Sequence, residues 1–92
     1  MSTKPNATQW HQFFQRWANT GLSLQGQIRQ MLVSAILDEQ HPVDAPIPSS
    51  RDMATQLGVA RNTVVIAYQQ LVDEGYLVSR ERKGYFINAN IL

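Results

Sequence analysis

The chain has 92 residues, of which 43% are hydrophobic and 16% are charged, and it has no cysteine. This length gives room for one folded domain, and the lack of cysteine excludes disulfide bonds and thiolate metal sites. No apolar run approaches the roughly 18–20 residues that cross a bilayer, and the start lacks the pattern of a signal peptide. We therefore expect no membrane contact and a cytoplasmic protein.

The net charge is only +1 at pH 7. From Ser23 onward there are six basic residues and seven acidic ones, whereas a protein that binds any polyanion carries a large excess of positive charge. A nucleic-acid-binding function therefore depends on where the positive charges lie, not on their number.

The N-terminal part of the chain contains an aromatic stripe. Four aromatic side chains recur at the spacing of one helical face: Trp10, Phe13, Phe14 and Trp17. This spacing predicts a short amphipathic helix within residues 9–19, ended by Gly21. Its stripe packs either on its own domain or on a second subunit or a further domain of the protein. We treat residues 1–22 as an N-terminal extension and residues 23–92 as the main domain.

The next predicted helix runs from about residue 24 to residue 37, with Ser23 as its N-cap. Its apolar residues fall on one face, which we expect to be the core face: Leu24, Ile28, Met31, Leu32, Ala35 and Ile36. Prolines at positions 42, 46 and 48 cannot continue this helix, so a loop follows it.

A second helix starts at Ser49, and Asp52 three residues later resembles a capping box. Gly58 is a suitable C-terminal cap after Leu57. The next helix begins at Arg61, so only three residues, one of them glycine, separate the two helices. This short turn is typical of a helix-turn-helix.

The third helix is predicted from about residue 61 to residue 74, before Gly75. Its buried stripe is predicted to be Val64, Ala67, Tyr68 and Leu71, and the opposite face Asn62, Ile66, Gln69 and Asp73. Residues 76–78 and 85–87 are aromatic and branched, as in strands, and they flank a basic hairpin tip at residues 80–84. Helices followed by a hairpin predict a mainly α fold with a small β-hairpin, the winged helix-turn-helix.

These segments resemble the GntR family of bacterial regulators. The resemblance lies in PSSRDMA at 48–54, LGVARNTVV at 57–65, AYQQL at 67–71 and EGYL at 74–77, and the last two are especially similar to the MocR subfamily. It covers about residues 23–88. It implies sequence-specific binding of double-stranded DNA, as the operator-reading domain of a bacterial transcription regulator. The recognition helix would then enter the major groove and the basic wing the minor groove.

In MocR-type regulators such a domain is followed by a long linker and a large domain similar to fold-type I aminotransferases, which binds pyridoxal phosphate. The resemblance thus implies a longer protein. We also expect a homodimer, which fits both DNA binding and protein interaction. We expect no cofactor in the chain itself, whose only lysines are Lys4 and Lys83.

The resemblance places DNA contacts on Arg51, Arg61, Asn62, Thr63 and Gly84. We add the helix cap Ser49 and the wing cations Arg82 and Lys83 to this set. The predicted DNA-binding residues are therefore Ser49, Arg51, Arg61, Asn62, Thr63, Arg82, Lys83 and Gly84.

Each predicted contact has a physical reason and an alternative. Arg51, in the first turn of its helix, suits an external phosphate or a surface ion pair with a carboxylate such as Asp52. Arg61 matches guanine or phosphate. Asn62 matches adenine but is also a common early-helix residue. Thr63 offers a hydroxyl for phosphate and a methyl for thymine, or simply packs.

Two assignments stay open at the level of sequence. Val65 and Ile66 either join the core or make apolar contacts with a thymine methyl group. The hairpin tip either grips the minor groove or is a solvated turn.

One residue departs from the pattern of the GntR family. Ala60 stands where GntR members usually carry Ser or Thr, which would cap the recognition helix. Without this cap we expect the helix to be less stable by about 1 kcal/mol.

Two other classes of function compete with DNA binding. An enzyme is not expected, because His11 and His41 are isolated and no catalytic or metal-ligand spacing is present. A protein-interaction module would fit the near-neutral charge and the aromatic helix. Salt distinguishes it from a DNA-binding protein, whose affinity falls steeply with ionic strength.

Overall fold

The computed structural model describes residues 8–91 and contains the predicted order of elements. The helices of this region are α1 (Trp10–Gln15), α2 (Leu24–Leu37), α3 (Ser50–Leu57) and α4 (Arg61–Asp73). The strands β1 (Leu77–Arg80) and β2 (Gly84–Ile87) follow, and a short 3-10 helix spans Ala89–Ile91. The strands pair antiparallel, with Leu77 opposite Ile87 and Arg80 opposite Gly84. The mainly α fold with a β-hairpin is confirmed.

Helix α2 supplies the centre of the core, because Ile28, Met31 and Leu32 are almost completely buried. Its predicted N-cap is also confirmed, since the Ser23 hydroxyl accepts a hydrogen bond from the Gly26 N–H at 3.1 Å. The prediction for Leu24 is wrong: 52% of this residue is exposed. It is the first residue of the helix, and side chains on a helix lean toward its N-terminus, so it points past the end of the packed face.

The helix-turn-helix is built as predicted. The Ser49 hydroxyl accepts from the Asp52 N–H at 3.1 Å, which forms the N-cap half of the predicted capping box. Gly58 ends α3 with φ = +72°, in the left-handed region where glycine is unstrained. Ala60 precedes α4 with extended backbone angles and provides no side-chain cap.

Helix α1 is shorter than predicted, with six residues instead of the expected eleven or so. After Gln15 the chain tightens into turns, because the N–H groups of residues 16–18 bond to carbonyls three residues back. The aromatic stripe packs on its own domain: Trp10 and Phe14 are buried in the main core, and the Gln27 amide donates to the Phe14 carbonyl at 2.9 Å. Residues 1–7 of the predicted extension lie outside the described region.

The hairpin is held against the helices by a third short segment. The Ile47 N–H donates to the Tyr85 carbonyl at 2.8 Å, which forms an isolated antiparallel bridge to β2. Strand β1 begins at Leu77, one residue later than predicted, and continues to Arg80, so the turn narrows to residues 81–83. No helix within residues 8–91 has the length and apolar character needed to cross a membrane.

Candidate nucleic-acid interface

The starts of α3 and α4 lie side by side. The Arg61 guanidinium donates a hydrogen bond from Nε to the Ser50 hydroxyl at 3.2 Å, which joins the first residue of α4 to the first residue of α3. Arg51 is exposed beside Ser50. The first turn of α4 contains no acidic residue, so no carboxylate opposes the positive end of its helix dipole. The two helix N-termini therefore lie next to each other, with the Arg61 guanidinium between them and Arg51 exposed in the first turn of α3.

The outward face of α4 is polar at its start and apolar in its second turn. The predicted inner stripe is buried as expected: Val64, Ala67, Tyr68 and Leu71. Arg61 and Asn62 are exposed, and Thr63 is half-buried. Val65 and Ile66 are each 41% exposed, which decides against a place in the core for either residue.

The wing borders the start of α3. An open cleft of about 600 Å³ is lined by Ser49, Asp52 and Gln56 from α3 and its cap and by Lys83 and Gly84 from the wing. The buried residues Trp10 and His41 also line it, so the start of α1 and the loop before α3 form part of the same cleft. The Ser49 cap and two of the predicted wing residues therefore share one concave surface.

The cations of the wing differ in their surroundings. The Arg80 guanidinium lies 4.6 Å from the centre of the Phe86 ring, a cation–π contact that ties it to β2. Arg82 and Lys83 are exposed at the turn. Arg82 has φ = +65° and Gly84 has φ = +100°, so the tight tip depends on the left-handed backbone region twice.

The structure brings Ser49, Lys83 and Gly84 to one cleft and holds Arg61 beside the start of α3. The starts of α3 and α4 present Ser49, Arg51, Arg61 and Asn62; the wing presents Arg82, Lys83 and Gly84; Thr63 is the least accessible. The alternative ion pair of Arg51 with Asp52 is not formed: the ion pair found within residues 8–91 joins Arg29 Nε to Glu74 Oε1 at 2.8 Å.

Sequence reasoning missed Ser50. Its hydroxyl positions Arg61 across eleven residues of chain, and no local pattern indicates such a contact. The fixed length of the helix-turn-helix was the available signal, because a compact turn returns the start of the second helix toward the start of the first.

Comparison with known proteins identifies the family of this chain. Residues 24–87 match the model of the bacterial regulatory proteins of the gntR family. The chain belongs to this gntR family. Residues 24–87 thus form the family's winged helix-turn-helix DNA-binding domain, and the resemblance inferred from sequence is confirmed.

Three relatives support the gntR assignment. The pyridoxine biosynthesis regulator PdxR of Corynebacterium glutamicum is 48% identical over 71% of this chain and 14% of its own length. The probable rhizopine catabolism regulator MocR of Rhizobium meliloti is 41% identical over 66% of this chain and 12% of its own length. The solved structure of YtrA from Sulfolobus acidocaldarius, a GntR-family transcription factor, superposes with a TM-score of 0.70 and 30% identity, covering 77% of this chain and 74% of that one.

The gntR chain thus matches a small part of its two curated relatives, and those relatives are regulators by name. Within residues 8–91 no group of three or more His, Asp or Glu side chains is placed to hold a metal ion.

Proposed function

We propose that this domain reads an operator in double-stranded DNA with α4 in the major groove and the wing at the minor groove. The observation that carries the proposal is the position of Arg61 and Asn62. Both are exposed on the first turn of α4, and the Arg61–Ser50 hydrogen bond fixes this turn beside the start of α3. The start of a recognition helix is the part that reaches base edges in helix-turn-helix complexes.

Arg61 and Asn62 are proposed to read bases. The planar guanidinium of Arg61 can donate two hydrogen bonds to O6 and N7 of guanine, and the amide of Asn62 can pair with N6 and N7 of adenine. Thr63, which is half-buried, is proposed to place its hydroxyl on a phosphate at the edge of the groove. The Arg61–Ser50 bond leaves the terminal nitrogens of the guanidinium for DNA.

Ser49 and Arg51 are proposed to bind the phosphate backbone. The Ser49 oxygen already accepts from the Asp52 N–H, and its hydroxyl proton remains a donor for an external oxygen. Arg51 is exposed in the first turn of the same helix. A helix N-terminus favours anions, so a phosphate placed here would gain from the dipole, the hydroxyl and the guanidinium together.

Arg82, Lys83 and Gly84 are proposed to form the second contact. The two cations are exposed at the tip, and Gly84 allows the backbone to approach DNA without a side chain. Because Lys83 and Gly84 share a cleft with Ser49, the wing and the start of α3 can bind phosphates on the same stretch of duplex.

For the whole protein we propose the arrangement implied by the MocR resemblance. A homodimer would present two recognition helices about 34–36 Å apart on two half-sites. A domain beyond this chain would bind pyridoxal phosphate, and the regulator would act in the cytoplasm, where bacterial DNA lies. The half-buried Phe13 and Trp17 are candidates for contact with a second subunit or with that domain.

The test is a titration of selected duplexes by fluorescence anisotropy at several salt concentrations. Arg61→Ala should lower the affinity by about 1–3 kcal/mol and relax the preference at one base pair. Lys83→Ala should weaken binding to all DNA sequences equally. It should also reduce the steepness of the plot of log K for binding against the logarithm of the salt concentration by about 0.9. Arg16→Ala removes the same charge from the exposed end of α1 and should leave the base preference intact.

If neither Arg61→Ala nor Lys83→Ala changes the affinity, the proposed docking is wrong. If binding to every duplex is insensitive to salt, the domain is a protein-interaction module instead.

A further inference from the structure

Two large β-branched side chains are exposed together on the second turn of α4. Val65 and Ile66 each expose 41% of their surface. They follow Arg61 and Asn62 by four residues, and residues i and i+4 lie on the same side of a helix. The apolar pair therefore continues the side of the helix that we propose to enter the major groove.

This exposure is unfavourable in the isolated domain. β-branched residues are weak helix formers, and removal of this apolar surface from water by a partner is favourable. The pair borders a shallow groove of about 560 Å³, whose other walls are the amide side chains of Gln25, Gln69 and Gln70 together with Asp73.

The major groove offers one apolar partner. Its base edges carry hydrogen-bond donors and acceptors, and the C5-methyl group of thymine is the exception. Resting on the DNA-binding mode proposed above, we infer that Val65 and Ile66 recognise thymine methyl groups in the operator. They are thus specificity-determining residues beside the polar pair Arg61 and Asn62.

The geometry of helix and duplex gives the distance between the two contacts. Four residues advance about 6 Å along an α-helix, and one base pair advances about 3.4 Å along DNA. Whatever the angle between the two axes, the recognised thymine therefore lies within about two base pairs of the base read by Arg61 or Asn62.

The far end of α4 limits the contact to its first turns. The Gln69 amide donates to the Asp73 carboxylate at 3.1 Å, and Asp73 is exposed. A carboxylate is repelled by phosphates, so we expect the last turn of α4 to stay away from the DNA backbone. The second turn, with Val65 and Ile66, is then the last part of the helix that enters the major groove.

The experiment removes single methyl groups from DNA. Duplexes are selected from a random library with the 92-residue chain, and each thymine of the best duplex is then replaced by deoxyuridine, which pairs identically but lacks the C5-methyl group. At one or two positions the affinity of the unchanged protein should fall about fourfold per methyl group.

Protein variants tested on the same duplexes complete a double-mutant cycle between side chain and methyl group. Val65→Ala and Ile66→Ala lie on the surface and favour helix, so both should fold. At least one of them should bind the thymine and deoxyuridine duplexes equally. Leu37→Ala is the matched control, because Leu37 is 54% exposed at the opposite end of α2 from Gln25, and it should retain the full methyl sensitivity.

Three results would overturn the inference in different ways. If no deoxyuridine position matters while Arg61→Ala still weakens binding, the methyl contact is wrong and the DNA-binding proposal stands. If Val65→Ala or Ile66→Ala instead abolishes self-association in sedimentation, with no effect of deoxyuridine, the face binds a second copy. If the library yields no preferred sequence and binding ignores salt, both proposals fail.

Discussion

The Tyr68 hydroxyl donates a hydrogen bond of 2.7 Å to the backbone carbonyl of Pro48. Tyr68 lies in the buried stripe of α4, and Pro48 immediately precedes the Ser49 cap of α3. On its other side the Tyr68 ring packs edge-to-face on the Tyr85 ring of the wing, with centroids 5.0 Å apart. One side chain therefore connects the recognition helix, the start of α3 and the hairpin, the three parts proposed to touch DNA.

Tyr68→Phe should lower the free energy of unfolding by about 1 kcal/mol, because it removes this hydrogen bond and keeps the ring. The measurement is urea unfolding followed by circular dichroism. Tyr76→Phe is the control, since the described residues give the Tyr76 hydroxyl no hydrogen-bond partner, and its effect should be smaller. Equal effects of the two changes would mean that the contact with Pro48 does not stabilise the fold.

Stability should also fall at alkaline pH through Tyr68. Burial, with smaller contributions from Tyr85 and Asp52, raises the pKa of Tyr68 far above its ordinary value of 10.0. Above pH of about 10 the unfolded chain loses this proton while the folded chain keeps it, so the free energy of unfolding decreases as pH rises. Below that pH the contribution is fully present. Thermal unfolding between pH 8 and about 11 should show a steeper loss for the natural chain than for Tyr68→Phe, and parallel curves would contradict the assignment.

The elements that the sequence predicted well are those with local signals. Ser49, Gly58 and the three-residue turn define the helix-turn-helix within a dozen residues, because caps and left-handed glycines act on their immediate neighbours. The end of α1 was missed because the aromatic spacing continues to Trp17 while the backbone has already tightened after Gln15. Periodicity reports which side chains share a face and does not report which hydrogen bonds form.

The contacts that assemble the site lie beyond local signals. Arg61 reaches Ser50, and Ile47 pairs with Tyr85 across almost half of the chain. These pairs depend on how the helices pack, so sequence identified the candidate residues but not the hydrogen bonds that position them.

Ala60→Ser should stabilise the domain. Ala60 has φ = −68° and ψ = 142° and offers no side-chain hydrogen bond to α4, and these extended angles are those of a normal N-cap. A serine hydroxyl here can accept from the N–H of residue 62 or 63 and should add about 1 kcal/mol. Chemical unfolding of the variant measures the gain. Ser49→Ala, which removes an existing cap, should lose a similar amount, and a loss in both variants would show that α4 cannot use a cap.

Trp10→Ala should destabilise the whole domain by about 3–5 kcal/mol, the usual loss for a buried tryptophan. Trp10 is 3% exposed, and its ring lies 5.4 Å from that of His41 in the loop before α3. Thermal unfolding should show one cooperative transition at a lower midpoint. Trp17→Ala, at a half-buried site, should cost less. A small effect of Trp10→Ala would mean that α1 folds independently of the main domain.

Gly84→Ala separates backbone strain from DNA contact at the wing. Gly84 has φ = +100°, and a Cβ placed there meets no atom within 4 Å, so the change should cost about 1–2 kcal/mol of unfolding free energy through conformation alone. Gly21→Ala is the matched control, since Gly21 has φ = +80° and an equally open position before α2. Both variants should lose similar stability in urea unfolding, whereas DNA affinity in the anisotropy titration should fall several-fold only for Gly84→Ala. Equal affinities for the two variants would exclude close approach of the Gly84 backbone to DNA, because the added methyl group would then have met nothing in the complex.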